Sequence, residues 1–442
     1  MKKKRVCALT AALLGLVLIA GGCSSNTDTQ NTSNSAESPE VSSEGEASAE
    51  KTGTIRFAIY TDTARDKVAQ AQAKLYMEKN PGVTVEVVSV PFANYYTQLG
   101  QGLAAGDAWD VFMINGASFA ELGKTGQLMD LTDEIAARGM NMDDYVVDPM
   151  NSSYEGRTYV LPYELNTSAI LYNKDMFDAA GVEYPSPNWT WEDFQEIAGK
   201  LTDAENDQFG CYIRLGQPDL NSFVYQAGGN MFNDDLTEIT FSTPEVKKAL
   251  TYTTDLVTKY GYAPSPEQLP ANISPFMTNK IAMASAMCFE VLSVEAADFN
   301  WGIAPWPKDV NQGGSYWTQG MAVYNGTKNK DLALDYLFFL AGEEAQEVMA
   351  EAGGAAPSLL AMAQSDKYLD AEAPDGMEYF VNEFIEGRAV AEPFTAKWNA
   401  IWGDATSVVQ TELSLVRTQK ESLEEAIPKM EAESQRLLDE IQ

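Results

Sequence analysis

The stretch TIRFAIYTDTARDKVAQAQAKLYMEKNPGVTVEVVSV, residues 54–90, decides the fold. Its beginning alternates apolar and polar side chains, and its end is rich in β-branched residues, so both ends are predicted strands. Between them, apolar residues recur at helical spacing over 64–79, and Asn-Pro-Gly at 80–82 stops the helix. Two strands joined by one helix predict a right-handed βαβ unit.

The same alternation of helices and strands continues along the chain. Further helices are predicted over 92–105, 191–201, 243–260, 331–341 and most of 405–442, where Pro428 is expected to end or kink the helix. Further strands are predicted over 110–114, 169–172, 281–287 and 301–305. This order predicts an α/β fold with mixed, mostly parallel sheets. Because ligands bind at the carboxyl ends of such strands, the loops at 61–63 and 115–116 are candidate site positions.

The N-terminus, MKKKRVCALTAALLGLVLIAGGC, has a positive start and an apolar run too short to span a membrane as a helix. It is typical of a secretory leader. Cys23 after small residues resembles the lipobox of bacterial lipoproteins, although Ala20 replaces the usual leucine. The resemblance implies removal of residues 1–22 and a lipid on Cys23. The polar segment 24–52 lacks aromatic residues and is expected to be a flexible linker.

Composition excludes several classes of function. The formal net charge is −34, and removal of a leader with four positive side chains would make it −38. Such a charge disfavours binding to nucleic acid and favours a neutral or cationic ligand. The absence of histidine excludes Ser-His-Asp catalysis and most zinc and iron sites, so no metal or cofactor is expected. Cys211 and Cys288 could form a disulfide or be two buried thiols.

Several segments, taken in order, resemble the extracellular solute-binding proteins of sugar ABC importers, the family of maltodextrin-binding proteins. They are LAAGDAWDVFMING (103–116), GQLMDLTDEI (126–135), YVLPYELNTSAILYNKDMFDAAGV (159–182), WTWEDFQEIAGKL (189–201), YQAGGNMF (225–232), FMTNKIAM (276–283), WGIAPWP (301–307) and AGGAAPS (352–358). The resemblance implies two lobes of the type II periplasmic-binding-protein fold, with a ligand cleft between them. Lobe 1 would comprise 54–163 and 320–368, lobe 2 would comprise 164–319 and 369–442, and the linker would be 23–53.

The resemblance also implies the ligand-binding residues. They are expected to be Glu164, Trp317, Asp62, Thr61, Asn115, Trp402, Trp398 and Gly314. Four of them have a stated structural alternative: Glu164 could brace the hinge, Asp62 could cap a helix, and Trp398 and Trp402 could pack a helix. Asp110 is expected to brace its loop. Met287 and Cys288 stand where relatives carry a tryptophan, so Phe289 could replace that stacking ring.

The resulting prediction is a non-enzymatic receptor. It would act as a monomer, capture a carbohydrate, with an oligosaccharide expected, and deliver it to the permease subunits of an ABC importer. Its only contact with the membrane would be a lipid anchor at the outer face of the cytoplasmic membrane, on a Gram-positive cell surface. The alternatives are the same fold binding a peptide, a polyamine or a sugar phosphate, and a surface glycosidase, which would need two paired carboxyl groups.

Overall fold

The computed structural model describes residues 51–61, 63–147, 152–214, 216, 218–270, 273–370, 376–392, 401 and 407–440. The predicted leader, Cys23, Asp62, Trp398 and Trp402 lie outside these residues. Lys51 already pairs with Asp335, and the first strand starts at Gly53, so the folded body begins slightly before the predicted boundary at residue 54.

The described strands and helices follow the predicted alternation. The strands are β1 Gly53–Thr61, β2 Val83–Pro91, β3 Val111–Asn115, β4 Ser153–Tyr154, β5 Arg157–Thr158, β6 Leu161–Asn173, β7 Met283–Met287, β8 Trp301–Ala304, β9 Ser315–Val323, β10 Ala356–Pro357 and β11 Val390–Ala391. The helices are α1 Thr63–Lys79, α2 Phe92–Ala105, α3 Gly116–Leu122, α4 Thr132–Ala137, α5 Lys174–Ala180, α6 Trp191–Leu201, α7 Asp219–Gln226, α8 Pro244–Thr258, α9 Val291–Val294, α10 Lys330–Ala341, α11 Glu343–Ala352, α12 Leu360–Ala363, α13 Asp366–Leu369, α14 Glu378–Ile385, α15 Val408–Arg417 and α16 Leu423–Glu440.

The main sheet is mixed, with the strand order β10-β6-β9-β3-β1-β2. Strand β1 pairs in parallel with β2 and β3, and β11 pairs in parallel with β9. The other pairs among the described strands of this sheet are antiparallel, so the predicted predominance of parallel pairing is wrong. The cause is that β6 and β9 run side by side in opposite directions, and each also pairs antiparallel with further strands.

Strand β6 joins the two lobes of this periplasmic-binding-protein-like fold. Its first part, as far as Thr167, pairs with β9, and its second part, from Ser168, pairs with β7 and β8. Side chains alternate between the two faces of a strand. Ile170 and Tyr172 therefore enter one lobe 2 core, whereas Ala169 and Leu171 enter the core on the opposite face.

Lobe 1 has a separate core, built around β1, β2 and β3 and covered by α1, α2 and α10. Phe57 and Phe112 lie at its centre. The hydrogen-bonded pairing of strands therefore continues from lobe 1 into lobe 2, although the hydrophobic cores of the two lobes are separate. The lobe boundaries inferred from the resemblance stay predictions.

The two remaining cysteines are free and buried, so the thiol alternative is correct. Cys211 belongs to the core on one face of the lobe 2 sheet and Cys288 to the core on the other, which prevents a disulfide. Helix α16 runs through Pro428 without ending there, because Ile427 and Met430 hold it in the lobe 2 core. No helix in the described part of the chain is long and apolar enough to cross a membrane.

Candidate functional site

A row of polar side chains crosses the strands that join the lobes. Asn115 on β3 is opposite Gln319 on β9, and Gln319 is in turn opposite Glu164 on β6. In the next pair on the same face, Trp317 is opposite Asn166. Directly opposed residues of an antiparallel pair point to the same side of the sheet. These five residues therefore form one surface, which we call the hinge layer.

Glu164 is the carboxylate of the hinge layer, and it is buried, with 1% of its surface exposed. Arg65, in the first turn of α1, donates to Glu164 through Nη2, at 2.7 Å from Oε1, and through Nε, at 3.2 Å from both carboxylate oxygens. Asn166 Nδ2 donates to Oε1 at 3.1 Å. These contacts tie Glu164 on β6 to α1 of lobe 1, and its expected contact with a ligand stays a prediction.

Arg65 also lies between two aromatic rings. Its guanidinium carbon is 5.0 Å from the centre of the Tyr60 ring and 5.2 Å from that of Phe289. Phe289, the ring expected to replace the missing tryptophan, is therefore beside Glu164, but Arg65 contacts its ring. Cation–π contacts of this kind add to the ion pair in fixing the guanidinium.

The hinge layer contains two buried acceptors with no hydrogen-bond partner among the described residues. They are Asn166 Oδ1 and Gln319 Oε1. Buried polar atoms are nearly always hydrogen-bonded, and leaving one unsatisfied costs about 1–3 kcal/mol. The hinge layer therefore has two buried oxygens beside Glu164 that lack hydrogen-bond donors. A ligand bearing hydroxyl groups would supply them.

A second polar cluster lies in lobe 2, near the start of α7. Arg214 donates to Asp219 (Nη2–Oδ1, 3.2 Å) and to Glu290 (Nη1–Oε2, 2.8 Å), and Ser285 donates to Asp219. Opposing carboxylates raise the pKa of Arg214 beyond its usual range, although burial acts against this. The guanidinium is therefore already neutralised by two carboxylates.

Two further carboxyl groups are buried where β9 begins. Glu392 accepts from Asn221 Nδ2 at 3.1 Å, and burial raises its pKa to about 8. Glu383 accepts from the backbone N–H groups of Trp306 and Gly314, and burial raises its pKa to about 7. Glu383 lies within α14 and Glu392 directly follows β11, and no local sequence pattern marks either position as a buried carboxyl group.

The other proposed site residues that the structure describes have different surroundings. Gly314 is buried before β9, where an added Cβ would lie 2.2 Å from Trp306 Nε1, so close packing requires a glycine there. Thr61 ends β1, next to the carboxyl end of β3. Trp317 is partly exposed. Asn115 Oδ1 accepts from the Ser118 N–H at 2.9 Å and so caps α3.

The supporting role predicted for Asp110 is confirmed. Asp110 accepts hydrogen bonds from the Arg56 N–H and from Thr327, so it braces its loop. Four tryptophans are buried in the cores of lobe 2, namely Trp189, Trp191, Trp301 and Trp306.

Sequence reasoning missed Asn166, Gln319 and Arg65. The first two could have been found by counting two residues from Glu164 and Trp317, because period-2 alternation places them on the same face. Arg65 and Glu164 are 99 positions apart in the sequence, so no local sequence pattern indicates that they form a pair.

Two α/β lobes, joined by shared strands with a polar layer at their junction, define the class of two-lobe solute-binding proteins. The chain belongs to the family of bacterial extracellular solute-binding proteins, which residues 60–347 match. The predicted family is thereby confirmed, and its members and the relatives below are binding proteins.

Three relatives illustrate the similarity. An ABC substrate-binding protein from Listeria monocytogenes, solved in complex with cycloalternan, is 28% identical, with a TM-score of 0.79 over 88% of this chain and 100% of that one. The GacH receptor of Streptomyces glaucescens, solved unliganded and with acarbose, is 23% identical, with a TM-score of 0.76 over 89% of this chain and 100% of that one. The maltotriose-binding protein of Pyrococcus abyssi is 23% identical over 78% of this chain and 74% of its own.

Proposed function

We propose that this protein captures a neutral oligosaccharide between its lobes and delivers it to the permease of an ABC importer. The observation that carries the proposal is the pair of unpartnered buried acceptors, Asn166 Oδ1 and Gln319 Oε1, beside Glu164 and Trp317. Sugar hydroxyls can donate to these oxygens, and the indole of Trp317 can cover the C–H face of a sugar ring.

The charges of the site favour a ligand without net charge. Arg65 faces Glu164, and Arg214 faces Asp219 and Glu290. An anionic ligand would have to compete with these carboxylates, and it would meet the strongly negative field of the whole chain. A polyamine would have to compete with the two guanidinium groups. The names of the relatives, which refer to maltotriose, cycloalternan and acarbose, support the same class of ligand.

Thermal-shift screening should detect a neutral oligosaccharide that raises the melting temperature, because a ligand that binds only the folded state stabilises it. Gln319→Met should reduce that shift, since it removes an acceptor, yet it should leave the melting temperature without ligand unchanged or higher. Gln70→Met, at an exposed position on α1, is the matched control and should preserve the shift. No response to any sugar, together with a response to peptides or polyamines, would contradict the proposal.

We also propose that the mature chain is a monomer held at the outer face of the cytoplasmic membrane of a Gram-positive cell by a lipid on Cys23. A single acyl signal binds membranes only marginally, and stable anchoring requires two chains, which a diacylglycerol supplies. In its native host, Cys23→Ser should therefore move the protein from the membrane fraction to the medium, whereas Cys211→Ser should not. Retention of the Cys23 variant in the membrane fraction would disprove the anchor.

A further inference from the structure

A cluster of aromatic rings stands at the outer end of the lobe 1 sheet. Strands β1 and β2 are parallel, and their register ends with Thr61 beside Pro91. Phe92, the first residue of α2, follows at this carboxyl edge. The surface of Phe92 is 59% exposed, whereas the neighbouring Tyr60 is buried. Ligands of open α/β sheets bind at such edges.

Phe92 is held in place although it is exposed. Its ring centre is 5.2 Å from that of Tyr60 at an interplanar angle of 81°, and 6.0 Å from that of Tyr96 at 88°. Both contacts are edge-to-face, so neither tyrosine lies flat on Phe92. A rigid aromatic ring binds a ligand at a small cost in conformational entropy.

The same two tyrosines connect Phe92 to the hinge layer. The Tyr60 ring contacts the Arg65 guanidinium, which donates to Glu164. Tyr96 Oη accepts from the Asn115 N–H at 3.2 Å. Phe92 therefore stands at the outer end of a continuous set of contacts that begins at Glu164. These contacts fix the position of the Phe92 ring relative to the hinge layer.

We infer that Phe92 forms an outer saccharide subsite, where its ring stacks on a sugar unit beyond those held at the hinge layer. The inference rests on the proposed function and refines it: the protein selects oligosaccharides of several units over disaccharides. An outer stacking ring contributes only to ligands long enough to reach it, so its effect depends on ligand length.

Calorimetric titration of the full chain tests this subsite. The probes are maltose, maltotriose and maltoheptaose, or the isomalto series if that is the one that stabilises the wild type. Phe92→Ala should weaken binding of the heptasaccharide roughly three- to tenfold, the range of an aromatic contact, and leave the disaccharide within about twofold. Phe92→Tyr should retain the wild-type affinities.

Tyr154→Ala is the matched control, because Tyr154 is also an exposed aromatic residue, at 39%, but lies on the separate β4–β5 sheet. The Tyr154→Ala variant should bind both the disaccharide and the heptasaccharide with the wild-type affinity. If Phe92→Ala lowered the affinity equally for saccharides of every length, or for none of them, the subsite would be disproved. The proposed function would then still stand. Absence of saccharide binding by the wild type would overturn both.

Discussion

Glu164→Ala should lower the free energy of unfolding by about 3 kcal/mol. It removes the carboxylate that faces Arg65, whose side chain is only 13% exposed, and loss of one partner of a buried ion pair is strongly destabilising. Sugar affinity should also fall, by about 1–3 kcal/mol, because Glu164 orients both Arg65 and Asn166 in the hinge layer. Urea unfolding measures the first effect, and calorimetry on the folded variant measures the second.

The control is Glu78→Ala, which breaks the exposed pair Lys74–Glu78, with side chains 76% and 61% exposed. This change should cost less than about 0.5 kcal/mol. The double variant Glu164→Leu with Arg65→Met should recover much of the stability, because apolar residues of similar volume can replace a buried ion pair. Equal destabilisation by the two single alanine variants would disprove the structural role of Glu164.

Stability should fall as the pH rises from about 4.5 to about 8, because Glu383 and Glu392 are buried in the folded state. Burial raises the pKa of Glu383 to about 7 and that of Glu392 to about 8, from an ordinary value of 4.5. Nearby charges act as well: the pKa of Glu383 is lowered by Arg388 and raised by Glu386. The pKa of Glu392 is raised by Asp219. Below pH 4.5 both carboxyl groups are protonated in both states, so this contribution to stability is fully present.

Above that pH the unfolded chain releases these protons and the folded chain keeps them, so stability declines until the folded pKa values are passed. At about 1.4 kcal/mol per pKa unit, raising the two pKa values from 4.5 to about 7 and about 8 corresponds to a decline of up to about 8 kcal/mol. Glu392→Gln should flatten the curve, since an amide can keep the Asn221 contact and cannot ionise. Unfolding free energies measured at several pH values check this, and parallel curves for the variant and the wild type would refute it.

The periodicity of the hydrophobic residues, together with the turn-forming residues, was sufficient to predict most of the secondary structure. The helices 92–105 and 191–201 have the predicted bounds. Thr190 caps the second of them through a reciprocal bond with Asp193, and such caps can be recognised from sequence. The pairing directions could not be predicted, because they depend on how β6 and β9 pass each other. That arrangement is set by residues more than a hundred positions apart.

The candidate site was predictable only in part. The YELN segment indicated Glu164, and its resemblance to a hinge suggested contact with ligand. Its ion pair with Arg65 depends on how α1 packs against the hinge, so it could be seen only in the folded structure. The burial of Glu392 likewise depends on β11 joining β9, a pairing between distant segments.

Strand β6 has a consequence for how such a chain can change during evolution. Its 13 residues are all buried, and its two halves are central strands of different lobes. Neither lobe can be deleted or exchanged with that of a relative at a single junction, because one sheet would lose a strand. New ligand preferences must therefore arise by substitution along the cleft walls or by insertion into loops, and not by shuffling lobes as modules.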